Sequence, residues 1–337
     1  MSVNSTSESR PTPPLASSIG SASAVAEVEP GGLAALVRDP SARAPRSPFQ
    51  LAMLRLRRAK LAIAGMVVIA LLALGAIFAD YIAPYGADEQ DLFNITQPAT
   101  REHWLGTDEL GRDELSRLLY GGRISLLVGV SAALLSTAVG LLVGAIAGYY
   151  GGWIDQLLMR FVDLMLAFPA IFLLLIVFSM RGSSVLMVVL FLGFFGWMWL
   201  ARIIRGEFLS LKAREFVEAA HSIGVPGRRI IVRHLLPNVV APIIVRHLLP
   251  NVVAPIIVTT TLNTAYYMLA EATLSFLGFG VPPGTPTWGN MLTSARSNYV
   301  THPLLAIAPG LTLTIAVLAI NFVGDGLRDA FDPRGGR

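Results

Sequence analysis

The sequence contains no cysteine and only two lysines, Lys60 and Lys212. Without thiols there is no disulfide, no thiolate metal site and no cysteine nucleophile. Neither lysine follows a glycine-rich stretch, so no G-x-x-x-x-G-K-[ST] phosphate loop can be built and the chain cannot cleave ATP by that route. Charge is scarce as well. Charged residues make up 14% of the 337 positions against 54% hydrophobic ones, with a mean hydropathy of +0.62. A soluble domain of this length needs more charge than that. The basic residues border apolar runs and do not form the stripe a nucleic acid would need, so nucleic acid is not an expected partner. No histidine pair has the spacing of a zinc site and no Ser–His–Asp set stands out, so neither a metal site nor a catalytic residue is expected.

What the chain does have is long apolar runs. A bilayer core of about 30 Å takes roughly 20 helical residues. Six segments meet or approach that length: Leu61–Ala79, Ile124–Ala147, Leu164–Met180, Val185–Ala201, Ala254–Phe276 and Leu304–Val323. The third and fourth are separated only by residues 181–184, which predicts a tight helical hairpin. The expected fold is therefore an all-α integral membrane protein with six transmembrane helices. Residues 1–50, rich in Ser, Pro and Ala, read as a disordered tail. The first apolar run is too long for a cleaved signal peptide and reads as a signal anchor.

Orientation follows from the basic residues of the short loops. Arg55, Arg57, Arg58 and Lys60 precede the first span, and eight more, from Arg202 to Arg246, lie between the fourth and fifth. The loop at 80–123 is acidic instead, carrying Asp80, Asp88, Glu89, Asp91, Glu102, Asp108, Glu109, Asp113 and Glu114. Both termini are accordingly expected in the cytoplasm.

Several side chains within or beside the spans invite a role. Ser136, Gly140, Gly144 and Gly148 recur every four residues, the pattern that lets another helix backbone approach. That serves packing within the chain or against a partner subunit. Glu271 and Asn263 are polar residues within the fifth span, where such groups line a pathway, hold a gate or bond one helix to another. Asp163 is expected to pair with Arg160. His103, Asp108, Glu109, Asp113 and Glu114, interleaved with Arg112 and Arg117, read as a salt-bridged interfacial helix rather than a cation site. Trp288, beside the Pro282–Pro286 turn, reads as an anchor at the membrane interface.

The loop between the fourth and fifth spans is patterned. An amphipathic helix is predicted from Arg205 to Ser222, stopped at Gly224, with a second short helix over 227–236 that ends at Pro237. Within it stand Glu218-Ala219-Ala220, then Gly224, then His234-Leu235-Leu236-Pro237. This spacing resembles the EAA motif of binding-protein-dependent ABC importer permeases. Elsewhere Gly106-Thr107-Asp108, Gly111-Arg112-Asp113, Leu166-Ala167-Phe168-Pro169, Ala270-Glu271-Ala272 and Pro286-Thr287-Trp288-Gly289 are similar to the dipeptide, oligopeptide and nickel branch of that family. Over about residues 50–334 the chain resembles its second, C-type permease.

The resemblance implies a type I, MetI-like permease core at 106–330, with a coupling loop at 202–250. One extra N-terminal helix (51–105) precedes the core and a short tail (331–337) follows it. It implies a homologous second permease, two ATP-binding subunits that carry ATP and Mg, and an external solute-binding protein, in a bacterial inner membrane. Glu218, Ala219, Ala220, Gly224, His234 and Pro237 would then contact the ATPase. Dipeptides, longer peptides and nickel complexes are the substrates it implies. A self-contained ion-coupled transporter or channel is the competing reading. That class needs acids or broken helices at midplane, and the first four spans carry no acid in their interiors.

One feature departs from the family pattern. VRHLLPNVVAPII at Val232–Ile244 recurs unchanged at Val245–Ile257. Thirteen residues turn a helix by about 1300°, roughly 140° short of whole turns, so the two copies cannot show one face to the same neighbour. Each copy also carries two prolines, which argues against one straight helix through both.

Overall fold

The structure, a computed structural model, describes residues 48–212 and 253–331. Ten α-helices appear among them and no strand: α1 (Pro48–Leu56), α2 (Lys60–Ile77), α3 (Ala79–Ile82), α4 (Glu114–Tyr150), α5 (Gly152–Ala167), α6 (Ala170–Arg181), α7 (Val185–Lys212), α8 (Val253–Phe276), α9 (Trp288–Ser294) and α10 (Leu304–Phe331).

Four of these, α2, α4, α7 and α10, are each long and apolar enough to cross a membrane alone. The second predicted span starts ten residues early, because Asp113 caps α4 by accepting a bond from the Ser116 amide. At 37 residues α4 is about 55 Å long and must extend beyond the hydrocarbon. The fourth span runs on without a break into what was predicted to be a separate amphipathic helix. Nothing between Ala201 and Lys212 interrupts it; Gly206 is tolerated there with no neighbour to accommodate.

The third predicted span is not continuous. Phe168 takes an extended conformation (ψ 128°) ahead of Pro169, as the proline ring requires of its predecessor. The axes of 152–167 and 172–178 diverge by 83°. The fifth, α8, falls short of the other spans in apolarity because Thr259–Thr261, Asn263, Thr264 and Glu271 interrupt its aliphatics. Four of its hydroxyls are satisfied within the helix. The hydroxyls of Thr260, Thr261, Thr264 and Thr273 each donate to the carbonyl four residues back. That makes a threonine-rich helix compatible with lipid, where water is unavailable to do so.

Glycine contacts reveal how the helices run. Gly140, Gly144 and Gly148 of α4 meet the carbonyls of Trp197, Ala201 and Arg205 of α7, a constant offset of 57 residues. α4 and α7 are therefore parallel. The chain must return from the Tyr150 end of α4 toward its other end before α7 can start, so α5 and α6 together make that return as one broken crossing of the bundle. By contrast Gly65 meets Ala319 and Ala62 meets Gly326, so α2 and α10 are antiparallel. α8 is antiparallel to α4, since Thr137 bonds Thr260 while Ser125 bonds Glu271. These directions place Pro48, Tyr150, Lys212, Val253 and Phe331 toward one end of the bundle.

Candidate functional site

The residues singled out by sequence divide among a cavity beside α8, the buried surroundings of Glu271, the contact of α4 with α7, and residues 213–252. Glu218, Ala219, Ala220, Gly224, His234 and Pro237 fall within that stretch, outside the described residues, as does most of the tandem repeat.

The cavity, about 470 Å³, opens between the end of α5, α7 and α8. Its wall includes Met165, Phe168, Phe195, Trp199, Asn263 and Tyr266. α8 places Asn263 and Tyr266 there because the two are three residues apart on one helical face. Trp199 and Tyr266 are about two-thirds exposed. The chemistry of this wall is aromatic and aliphatic with a single amide, which suits a ligand with apolar side chains and a few polar groups. The aromatic members were not read from the sequence. Tyr266 follows Asn263 at helical spacing, which is a usable signal, but Trp199 and Phe168 reach the cavity from other helices.

Asn263 and Glu271 separate in space. Asn263 is on the cavity wall, whereas Glu271 is fully buried and does not line it. The Glu271 carboxylate accepts hydrogen bonds from Ser275 at 2.7 Å and Ser125 at 3.4 Å, with Thr287 a third partner. Ser125 in turn accepts from the Trp288 amide, and Ser275 from the Val281 amide. One carboxylate thus joins α4, α8, the 277–287 turn and the start of α9. Asn290 closes that turn by donating its side-chain amide to the carbonyls of Val281, Pro282 and Thr285. Trp288 is buried rather than interfacial: its indole N–H donates to the Leu118 carbonyl at 3.0 Å and its ring packs with Met268, Met291 and Leu313. The expectation of a membrane-interface anchor fails because a buried backbone acceptor was available to its polar edge.

The small-residue stripe of α4 faces α7 of the same chain. A Cβ at Gly144 would stand 2.5 Å from the Ala201 carbonyl oxygen, and one at Gly148 2.7 Å from that of Arg205. Ser136 completes the row by accepting a hydrogen bond from the Tyr267 hydroxyl at 2.8 Å. α4 is thereby held between α7 and α8.

At the opposite end from Lys212, residues 83–113 form turns, not the interfacial helix expected. Gly106 (φ 86°) and Gly111 (φ 71°) reverse the chain with their α-carbons tight against the carbonyls of Gln97 and Asp91, positions no side chain could take. Several of the charges do pair as expected. Arg112 bonds Asp108 at 2.7 Å, the fully buried Arg117 lies between Asp108 and Asp88, and His103 contacts Asp113 at 2.9 Å. Glu109 accepts from Ser297 and Asn298, tying this loop to the one before α10.

At the Lys212 end, Asp163 pairs with Arg202 of α7 and not with Arg160. Arg160 is on the same helix three residues away, but Arg202 reaches across from the neighbouring one. Asp155 is held by Arg205 through two bonds, of 2.5 and 2.6 Å. The sequence itself does not link Asp155 to Arg205, because a contact between helices 50 residues apart leaves no local pattern.

Comparison with known proteins follows the same lines. Residues 47–99 match the N-terminal TM domain of oligopeptide transport permease C. Residues 140–246 and 241–336 match the binding-protein-dependent transport system inner membrane component, in two stretches that overlap within the tandem repeat. The glutathione transport system permease proteins of Escherichia coli O157:H7 and Shigella sonnei are each 41% identical over 290 residues, covering 86% of this chain and 91% of theirs. A protein named as a peptide permease in Brucella suis is 42% identical over 293 residues, covering 86% and 93%. With this coverage, and with the helical bundle described above, the chain belongs to the family of binding-protein-dependent transport-system inner membrane components, as a multi-pass permease subunit.

Proposed function

We propose that this chain forms half of the translocation pathway of an ATP-driven importer of short peptides in a bacterial inner membrane. The other half comes from a homologous second permease. The named relatives handle glutathione and peptides, and the aromatic cavity with Asn263 fits a small peptide better than a bare metal complex. ATP and Mg are bound and used by two separate ATP-binding subunits, and a solute-binding protein delivers cargo from outside. Both termini face the cytoplasm, in keeping with the arginines that flank the Lys212 end.

The observation that carries this reading is the unbroken α7. One rigid helix runs from beside the cavity, at Phe195 and Trp199, directly into the segment that holds Glu218, Ala219, Ala220, Gly224, His234 and Pro237. A push delivered at the Lys212 end of α7 would reach the cavity wall with no break in the helix between them. Ala219 and Ala220 allow close approach of a partner helix, and Glu218 supplies a charge for a cation on it. The cavity side must then favour cargo differently in its two states for transport to be directional. Glu271 holds the joint of α4, α8 and α9 on the far side, as the hinge against which the wall moves.

The test is reconstitution of the full complex in proteoliposomes with paired assays of ATP hydrolysis and peptide uptake. Glu218→Ala is expected to leave hydrolysis within about twofold of wild type while uptake falls at least tenfold, a change of about 1.4 kcal/mol or more in the coupled step. Wild-type uptake by that variant, or uptake by this chain without ATP-binding subunits, overturns the assignment.

A further inference from the structure

The α5 helix is the least explained part of the bundle. It has a soft joint at each end: Gly151 and Gly152, both with positive φ (65° and 54°), where it leaves α4, and the Phe168–Pro169 break where it meets α6. Between those joints one face is committed to α7. Met159, Val162, Met165 and Leu166 pack with Trp197, Met198 and Ala201, and Asp155 and Asp163, on the same side, pair with Arg205 and Arg202. The Asp155–Arg205 pair is the firmer of the two. Its carboxylate is largely buried and both oxygens are engaged by the planar guanidinium, an arrangement that fixes orientation as well as distance. The Asp163–Arg202 pair is half exposed and holds less. The far end of α5 carries Met165 and Phe168 to the cavity wall.

We propose that Asp155 and Arg205 are positioning residues for transport: they lock α5 to the end of α7, so that displacement of α7 swings α5 between its two soft joints and moves Phe168 at the cavity. This rests on the reading that residues 213–252 receive the ATPase stroke, since α7 is the helix that delivers them. Arg205 is well placed to act as the link. It is two turns from Lys212, and its guanidinium holds Asp155 through two bonds, so a shift of Arg205 is passed to α5 through that pair.

The pair is tested in the full reconstituted complex through the number of peptides taken up per ATP hydrolysed. Asp155→Asn and Arg205→Gln are each expected to lower that ratio about tenfold with hydrolysis retained. The charge exchange D155R/R205D is expected to recover at least half of it. Because the chain has no cysteine of its own, D155C/R205C gives a second measurement that does not depend on charge. It is expected to be uncoupled as prepared and recoupled when a short bismaleimide bridges the two sites. A fall in hydrolysis and uptake in equal proportion would mean a merely structural pair and overturn the proposal, as would arrest of transport by the bridge. Glu218→Ala is run beside these variants. If it uncouples while the Asp155 and Arg205 variants do not, the loop reading stands and this proposal falls. If only the Asp155 and Arg205 variants uncouple, the lock holds and the role given to Glu218 falls, the stroke still entering through α7.

Discussion

Gly144 shows how much of the bundle depends on a missing side chain. The α4 and α7 backbones approach so closely there that a Cβ would meet the Ala201 carbonyl at 2.5 Å and the Ile204 Cβ at 2.8 Å, neither of which can give way without moving α7. Within lipid, such packing supplies much of what hydrophobic burial supplies in water. Gly144→Ile should therefore destabilise the protein by about 1–3 kcal/mol, the usual cost of overpacking a tight contact. A thermal unfolding series in detergent would register this, with Leu142→Ile as the comparison. Leu142 is on the same helix but 62% exposed, and its substitution should change little. Equal midpoints for the two variants would mean that the helices separate more easily than their contact implies. The four-residue spacing made the stripe legible in sequence, because helical period alone puts those residues on one face. Its partner was not legible: nothing local to Gly144 points to Ala201. Glu271 repeats the lesson. An acid within a span was visible at once, but its burial against Ser125, Ser275 and Thr287 depends on three segments that only folding brings together.

The same boundary between local and distant causes appears in the elements. Ends of α2 and α8 fell within a residue or two of the sequence estimate, since apolar runs stop where charge or turns begin. The third expected span is broken at Leu166-Ala167-Phe168-Pro169, where the proline interrupts a run that is continuous in apolarity. α7 departs from expectation in the other sense: its polar final turns read as a separate helix in sequence, yet nothing in them stops the first one. The tandem repeat bears on this stretch. The first copy stands in family spacing from Glu218 and Gly224, and the second leads directly into α8, which starts at Val253 inside it. Because the copies are identical, deleting either leaves one and the same sequence. Both functional registers then survive, and the 13 extra residues that the split family match straddles are gone. The shortened chain is expected to assemble with its partners and to take up at least as much peptide per ATP as the full-length one. A drop of tenfold or more in that ratio would show that the second copy has been put to use, and that the coupling segment works at its longer length.

Over the whole molecule, direction of travel is the deciding property. The ladder between α4 and α7 makes them parallel, so α5 and α6 have to recross despite the 83° bend between them; a re-entrant loop would return α7 to the wrong end. With α2 antiparallel to α10 and α8 antiparallel to α4, the described helices bring Tyr150, Lys212 and Phe331 toward one end of the bundle. Cysteine-free sequence makes this measurable one position at a time. Ala99→Cys, Ser183→Cys and Val300→Cys should react with a membrane-impermeant maleimide in intact cells, and Leu209→Cys only after the membrane is opened. Ser183 is the informative site. It is in the turn between α6 and α7, and it reaches the outside only if the broken pair truly crosses. Protection of Ser183→Cys in intact cells, with Ala99→Cys labelled, would place that turn on the inner side. α7 would then run against α4, and the carbonyl ladder that fixes their common direction could not form.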